Sequence, residues 1–383
     1  MSLQELMLIG RVGQQADLAS ERGVSCTGDL PEASDPSLIQ RAKVARAALG
    51  SRAMVLGHHY QRDEVIAFAD ITGDSFKLAQ AAADNSSAEF IFFCGVHFMA
   101  ESADILTTSQ QKVCLPDLAA GCSMADMATA TQVNDCWKVF ERLGIASRTI
   151  PVTYMNSSAA IKAFTGKNGG TVCTSSNAPR AMNWALTRGE KILFLPDQHL
   201  GRNTAVLELG LSLTDCVLWN PWKPNGGLSD DQILGAKIIL WRGHCSVHGR
   251  FSIENVSAHR EKNPDVNILV HPECTHEVVT SADFVGSTEF IIKTIEAAAP
   301  ASKWAIGTEL NLVSRLAKAH PDKEIAFLDK TVCYCSTMNR IDLPHLVWAM
   351  ESLVDGRLVN QIQVETQVAK YAKVALERML ALP

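Results

Sequence analysis

The chain of 383 residues lacks any apolar run approaching the roughly 18–20 residues that a membrane-spanning helix needs. It opens with no basic stretch followed by an apolar block, so no secretory leader is expected, and its start is poor in the Arg and Ser of a transit peptide. It also lacks an excess of positive charge. Thirty-five Lys and Arg against 41 Asp and Glu give a net charge of −6, which disfavours non-specific nucleic-acid binding. Eleven cysteines without a secretory signal argue for a reducing compartment and against a disulfide framework. The expectation is a soluble, cytoplasmic protein with no membrane or nucleic-acid partner.

What is present is an internal repeat. Three apolar runs end in polar pairs two positions apart: A53-M-V-L-G-H-H-Y in His58 and Tyr60, T149-I-P-V-T-Y-M-N in Tyr154 and Asn156, and N267-I-L-V-H-P-E in His271 and Glu273. On a strand, residues i and i+2 point the same way, so each strand end offers two polar groups to one side. After each comes a short Gly/Ser/Thr turn opening a helix, at G73-D-S, C173-T-S-S and G286-S-T. Repeats of this kind decide a fold reading.

Each copy continues with a second apolar strand, a helix, a third strand and then a cysteine. These cysteines are Cys122, Cys245 and Cys335, and His58 to Cys122 and His271 to Cys335 are both 64 positions. The middle copy is longer, with its surplus in the Pro/Gly/Asp stretch N220-P-W-K-P-N-G-G-L-S-D-D, a natural insertion loop. Strands alternating with helices predict an α/β protein with short parallel sheets covered on both faces. The expected division is an N-terminal extension at 1–40, a first α/β domain at 41–130, a second at 131–247 and a third at 248–340. The C-terminal helices within 341–383 are expected to join the first. Three such three-layer α/β/α domains would surround one central cavity.

In open parallel sheets, ligands bind beyond the carboxyl ends of the strands, where every polar pair and late cysteine here would sit. One thiolate per unit, far apart in sequence, matches no local zinc-finger spacing but suits a cuboidal iron–sulfur cluster. Held by three protein ligands, such a cluster leaves one iron open as a Lewis acid. The plainer reading is that Cys122, Cys245 and Cys335 are core thiols; the repeat favours ligands. Cys333, two positions before Cys335, is a rival third ligand. Cys94, Cys114, Cys136, Cys173, Cys216 and Cys274 are read as core or bystander residues. Ser75, Ser175, Ser287 and Thr288 precede helices, where they serve as caps or help helix N-termini bind anions. His248, three after Cys245, is a candidate substrate contact.

With these residues assembled, the chain resembles the quinolinate synthase family from about residue 45 onward. The resemblance rests on GHHYQ with GDS, L115-P-D-L-A-A-G-C-S, TYMNSSAA with VCTSSNAP, L195-P-D-Q-H-L-G-R-N, W241-R-G-H-C-S-V-H, LVHPEC with ADFVGST, and C333-Y-C-S-T-M-N. It implies three pseudo-equivalent domains around a 4Fe–4S cluster on Cys122, Cys245 and Cys335. It implies condensation of iminoaspartate with dihydroxyacetone phosphate to quinolinate, phosphate and water, on the aspartate route to NAD. Substrate-site positions carried over are His58, Tyr60, Ser75, Tyr154, Asn156, Ser175, His248, His271, Glu273, Ser287 and Thr288. L-aspartate oxidase is a candidate partner. One departure exists: some members carry C-x-x-C-x-x-C at the third ligand, where this chain has C-Y-C-S-T-M-N. The first forty residues have no clear family counterpart.

Glu273 is expected as the general base, since a buried carboxylate can be tuned toward neutral pH, with Tyr60 as its acid–base partner and His58 and His271 assisting. The alternative enzyme is an iron–sulfur hydro-lyase acting on a small carboxylic acid. A non-catalytic binding module and a zinc protein are the remaining rivals, separable by the absorbance and metal content of anaerobically purified protein.

Overall fold

The structure is a computed structural model that describes residues 30–85, 87–329 and 334–382; Cys333 lies outside the described residues. The chain forms two compact units. One gathers the described residues up to Ser123 with Tyr334–Glu365, and the other takes those from Met124 to Asp329 together with the chain from Thr366 on.

The first unit holds one sheet. Its strands are β1 (Ala53–His58), β2 (Ile71–Gly73), β3 (Phe90–Cys94) and β4 (Lys112–Cys114), in the order β2-β1-β3-β4 and all parallel. Every residue of β1 and β3 is buried, as continuous apolar runs should be in a parallel sheet covered on both faces. The second unit holds two sheets. One contains β5 (Thr149–Tyr154), β6 (Thr171–Cys173), β7 (Lys191–Leu195), β8 (Cys216–Trp219) and β9 (Ile238–Trp241), in the order β6-β5-β7-β9-β8. The other contains β10 (Asn267–Val270), β11 (Phe284–Val285), β12 (Lys303–Gly307) and β13 (Glu324–Phe327), in the order β11-β10-β12-β13. Leaving β8 aside, all three sheets repeat one parallel order: second strand, first, third, fourth.

The short second strand of each sheet (β2, β6 and β11) escaped the sequence reading, as did two further strands. C216-V-L-W pairs in parallel with β9 to become β8, and the insertion loop follows it. Gly226 in that loop has φ +67°, and a Cβ there would come within 2.4 Å of the Trp219 ring, so the turn closes on the indole only with glycine. A fourteenth strand, Gln361–Ile362, pairs antiparallel with β4 and caps that edge of the first sheet.

The C-terminal helices separate, whereas both were expected on the first domain. Leu343–Val354 packs against Leu38–Leu49 in the first unit, where Arg41 bonds both carboxylate oxygens of Glu351 at 2.9 and 2.6 Å. Thr366–Leu380 instead packs on helix Ala159–Lys167 and β6 in the second unit, burying Ala372, Ala375, Leu376 and Met379. Small residues explain the choice. The helix backbone approaches so closely that a Cβ on Gly166 would lie 2.0 Å from the Tyr371 carbonyl oxygen. No described helix is long and apolar enough to cross a membrane.

Candidate active site

Strand pairing brings the expected tips together within each unit. In the first, His58 pairs with Gly73, and His59 N donates to Gly73 O at 3.1 Å. This sets Ser75 two positions beyond the partner of His58. The Tyr60 amide donates to His58 Nδ1 at 3.1 Å, and the two rings meet edge to face at 4.8 Å. The i and i+2 pair is therefore joined by its own turn. In the second unit Tyr154 pairs with Cys173, setting Ser175 in the corresponding place, and Val270 pairs with Val285 just before Ser287 and Thr288.

Only one of the four hydroxyl residues is a helix cap. Ser287 accepts from Phe290 N at 3.3 Å. Ser75 is the first residue of a helix capped by Asp74, which accepts from Phe76 N and Lys77 N. Ser175 precedes the Asn177 cap position, and Thr288 is already helical.

The densest polar network lies in the second unit. His248, His271 and Glu273 are each 2% exposed. His248 Nδ1 lies 2.7 Å from Glu273 Oε2, and its Nε2 lies 3.1 Å from the Thr308 hydroxyl. His271 stacks on His248 with ring centroids 4.4 Å apart. The Tyr154 hydroxyl also bonds the Glu273 carboxylate. Burial alone would push that carboxyl up, but His248, His271 and Tyr154 outweigh it and hold Glu273 down at about 2. This is opposite to the expected tuning toward neutrality. His271 goes the same way for a different reason: burial, then the neighbouring His248, lower it to about 3. Donor atoms of Cys245, His248 and Glu273 all lie within 4.8 Å of one another, a group able to hold a metal ion. Beside Tyr154, the side-chain oxygen of Asn156 is buried with no hydrogen-bond partner among the described residues.

Burial sorts the nine described cysteines. Cys94, Cys114, Cys136, Cys173 and Cys274 are buried, and burial pushes all five thiols up, Cys94 to about 12. Cys216 is half-buried, and burial raises it to about 11. Cys122, Cys245 and Cys335 share the intermediate exposure of Cys216, so burial sets the five core thiols apart but does not by itself pick out these three. Cys335 sits on a turn whose carbonyl accepts from Asn339 N, with its Sγ 3.4 Å from the Thr337 hydroxyl. Cys122 and Cys335 belong to the first unit and Cys245 to the second.

Three supporting residues gave no sequence signal as part of a polar pair. Thr308, fully buried after β12, holds the far nitrogen of His248. Asp197 is fully buried and caps helix Gln198–Asn203 through His199 N and Leu200 N. Asn203 bonds the backbone on both sides of Glu273. The stretch L195-P-D-Q-H-L-G-R-N carries the last two, but nothing in its spacing assigns them a task.

Comparison with known proteins decides the family. A model of the family described as quinolinate synthetase A protein matches residues 40–381. The chain belongs to that family. It is 68% identical over 380 residues to the quinolinate synthase of Streptomyces coelicolor, covering 99% of this chain and 96% of the relative. It is 66% identical over 389 residues to that of a Nocardioides species, covering 100% and 98%. It is 55% identical over 358 residues to that of a Geobacillus species, covering 92% and 97%. The chain is thus an enzyme.

Proposed function

We propose that the chain condenses iminoaspartate with dihydroxyacetone phosphate, giving quinolinate, phosphate and water, in cytoplasmic NAD biosynthesis. The observation that carries this reading is the buried network Tyr154–Glu273–His248–Thr308 beside Cys245, in a chain that matches this family over almost its whole length. L-aspartate oxidase is the proposed source of iminoaspartate. The functional division is into three α/β domains.

Cys122, Cys245 and Cys335 would hold a 4Fe–4S cluster. The donor set fits, because metal binding needs a thiolate, and these three avoid the deep burial that keeps the core thiols protonated. When bound, the cluster supplies an open iron that acts as a Lewis acid.

The chain's own residues do the rest. Glu273 stays ionised and fixes the His248 ring through Nδ1, so that pair works as one acid–base unit with Tyr154 on its other side. Neither His248 nitrogen is spare: one faces Glu273 and the other Thr308. His271 stacks on this unit and, held neutral, donates or accepts without adding charge. Asn156 offers its buried, unpartnered oxygen to a donor on the substrate. Tyr60, fixed on His58, is the partner acid–base of the first unit. Ser75, Ser287 and Thr288 lie at helix starts and Ser175 just before one, where the positive end of the helix dipole suits carboxylates and phosphate. Glu273→Gln is expected to lower turnover at least ~100-fold, the usual range for loss of a proton-transfer group. Full turnover in that variant would remove Glu273 from the chemistry. Activity on simple hydroxy acids, with none on the two condensation substrates, would favour a hydro-lyase instead.

A further inference from the structure

The carboxylate of Glu273 is borne on a short turn that leaves β10 at His271, and nothing in that turn fixes it alone. Cys274 N donates to His271 O at 3.0 Å and Glu273 N approaches His271 Nδ1 at 3.3 Å, both local contacts. Beside the contacts of His271 N and Cys274 Sγ with Gly307 O, at 3.1 and 3.7 Å, the long-range hold comes from Asn203, 3% exposed. Its Nδ2 donates to Pro272 O and to Cys274 O, each at 2.9 Å. Its Oδ1 lies 2.9 Å from His276 Nδ1. One amide therefore spans the residue before Glu273, the residue after it and the start of the next helix, with both of its N–H donors and its carbonyl oxygen used.

Asn203 is itself held. It ends helix Gln198–Asn203, whose first turn is capped by Asp197. Gln198 N donates to Gly243 O at 2.9 Å, tying the helix to the stem that leads two residues later to Cys245. Packing leaves it no room to slide: a Cβ on Gly201 would come within 2.6 Å of both Phe194 and Leu240. We infer that Asn203 is a positioning residue for catalysis, clamping the His271–Cys274 turn so that the Glu273 carboxylate meets His248 and Tyr154. The inference rests on the catalytic reading of Glu273 given above.

The test is Asn203→Asp in the anaerobically prepared holoenzyme. The substitution is isosteric but sets a carboxylate oxygen against two carbonyls. A displacement of about 1 Å in a reacting group can cost ~100-fold, so kcat is expected to fall at least ~10-fold while KM for dihydroxyacetone phosphate stays within about twofold. Amide hydrogen exchange should rise in residues 271–275 and stay unchanged in β7 and β9. An unchanged kcat would overturn the clamp. So would a parallel loss in kcat, KM and melting temperature with exchange rising throughout, which would mark a merely structural asparagine. Should Asn203→Asp not fold, Asn203→Ala decides. It removes both Nδ2 bonds to the turn without adding a charge and predicts the same local signature; wild-type kcat and exchange there would overturn the clamp. If Glu273→Gln keeps full turnover, the catalytic reading fails, while exchange at 271–275 still reports whether Asn203 holds the turn.

Discussion

At the scale of the residue, the second unit shows how neighbours overrule burial. Glu273 and Asp197 are both fully enclosed carboxylates, yet they go opposite ways. Glu273 meets His248, His271 and Tyr154 and is held low. Asp197 has backbone N–H groups on one oxygen only, and burial, then the charge of Glu273, push it well above the usual range. A carboxyl raised on folding costs stability above its unfolded pKa of about 4, because the unfolded chain then releases a proton that the folded chain keeps. Asp197→Asn keeps an acceptor for His199 N and Leu200 N but cannot ionise. It is expected to raise stability by at least about 1 kcal/mol at pH 7 and to change little near pH 3.5, as read from denaturant unfolding at both pH values. An equal effect at both would mean that the carboxyl is not raised. The His58/Tyr60, Tyr154/Asn156 and His271/Glu273 pairs were legible in sequence as the ends of apolar runs, but the strands stop at His58, Tyr154 and Val270, so the second member of each pair lies beyond its strand and is not set by the strand's two-residue period. Thr308 and Asn203 were not legible, since only the tertiary fold brings them 60 and about 70 residues across to their partners. The depressed state of Glu273 was hidden for the same reason: sequence shows its burial but not its company.

At the scale of the element, most strands could be read because parallel sheets demand unbroken apolar runs, which F90-I-F-F-C and K191-I-L-F-L supply. Edge elements could not. β2, β6, β11 and the Gln361–Ile362 strand, two or three residues each, are too short for a period, and β8 lies close to the insertion loop. The terminal helix was recognised from its amphipathic pattern but assigned to the wrong neighbour, since its own sequence does not show the glycine that receives it. That docking gives a direct prediction. Gly166→Val sets a side chain where the Tyr371 carbonyl now sits, 2.0 Å from an ideal Cβ. The variant should lose about 1–3 kcal/mol in denaturant unfolding, the usual cost of overpacking. Wild-type stability would show that the helix does not dock there.

At the scale of the whole molecule, one parallel order occurs three times, and each copy ends in a polar tip and, further on, a partly exposed cysteine. The repeat was legible as 64-residue spacings in two of the copies, and the sheets explain why: the fourth strand in the repeated order delivers the chain to the same end of its sheet. The choice between Cys335 and its neighbour at 333 was left open by the sequence, because two cysteines one residue apart serve the spacing almost equally. The account's central claim is that thiolates distant in sequence share one cluster. The direct measurement is iron and sulfide counting on anaerobically purified protein, wild type and with Cys122→Ala, Cys245→Ala, Cys335→Ala and Cys333→Ala. The account predicts about four iron and four sulfide per wild-type chain, retention in Cys333→Ala and loss in each of the other three. Full iron and sulfide in Cys335→Ala, or none in the wild type, would contradict it.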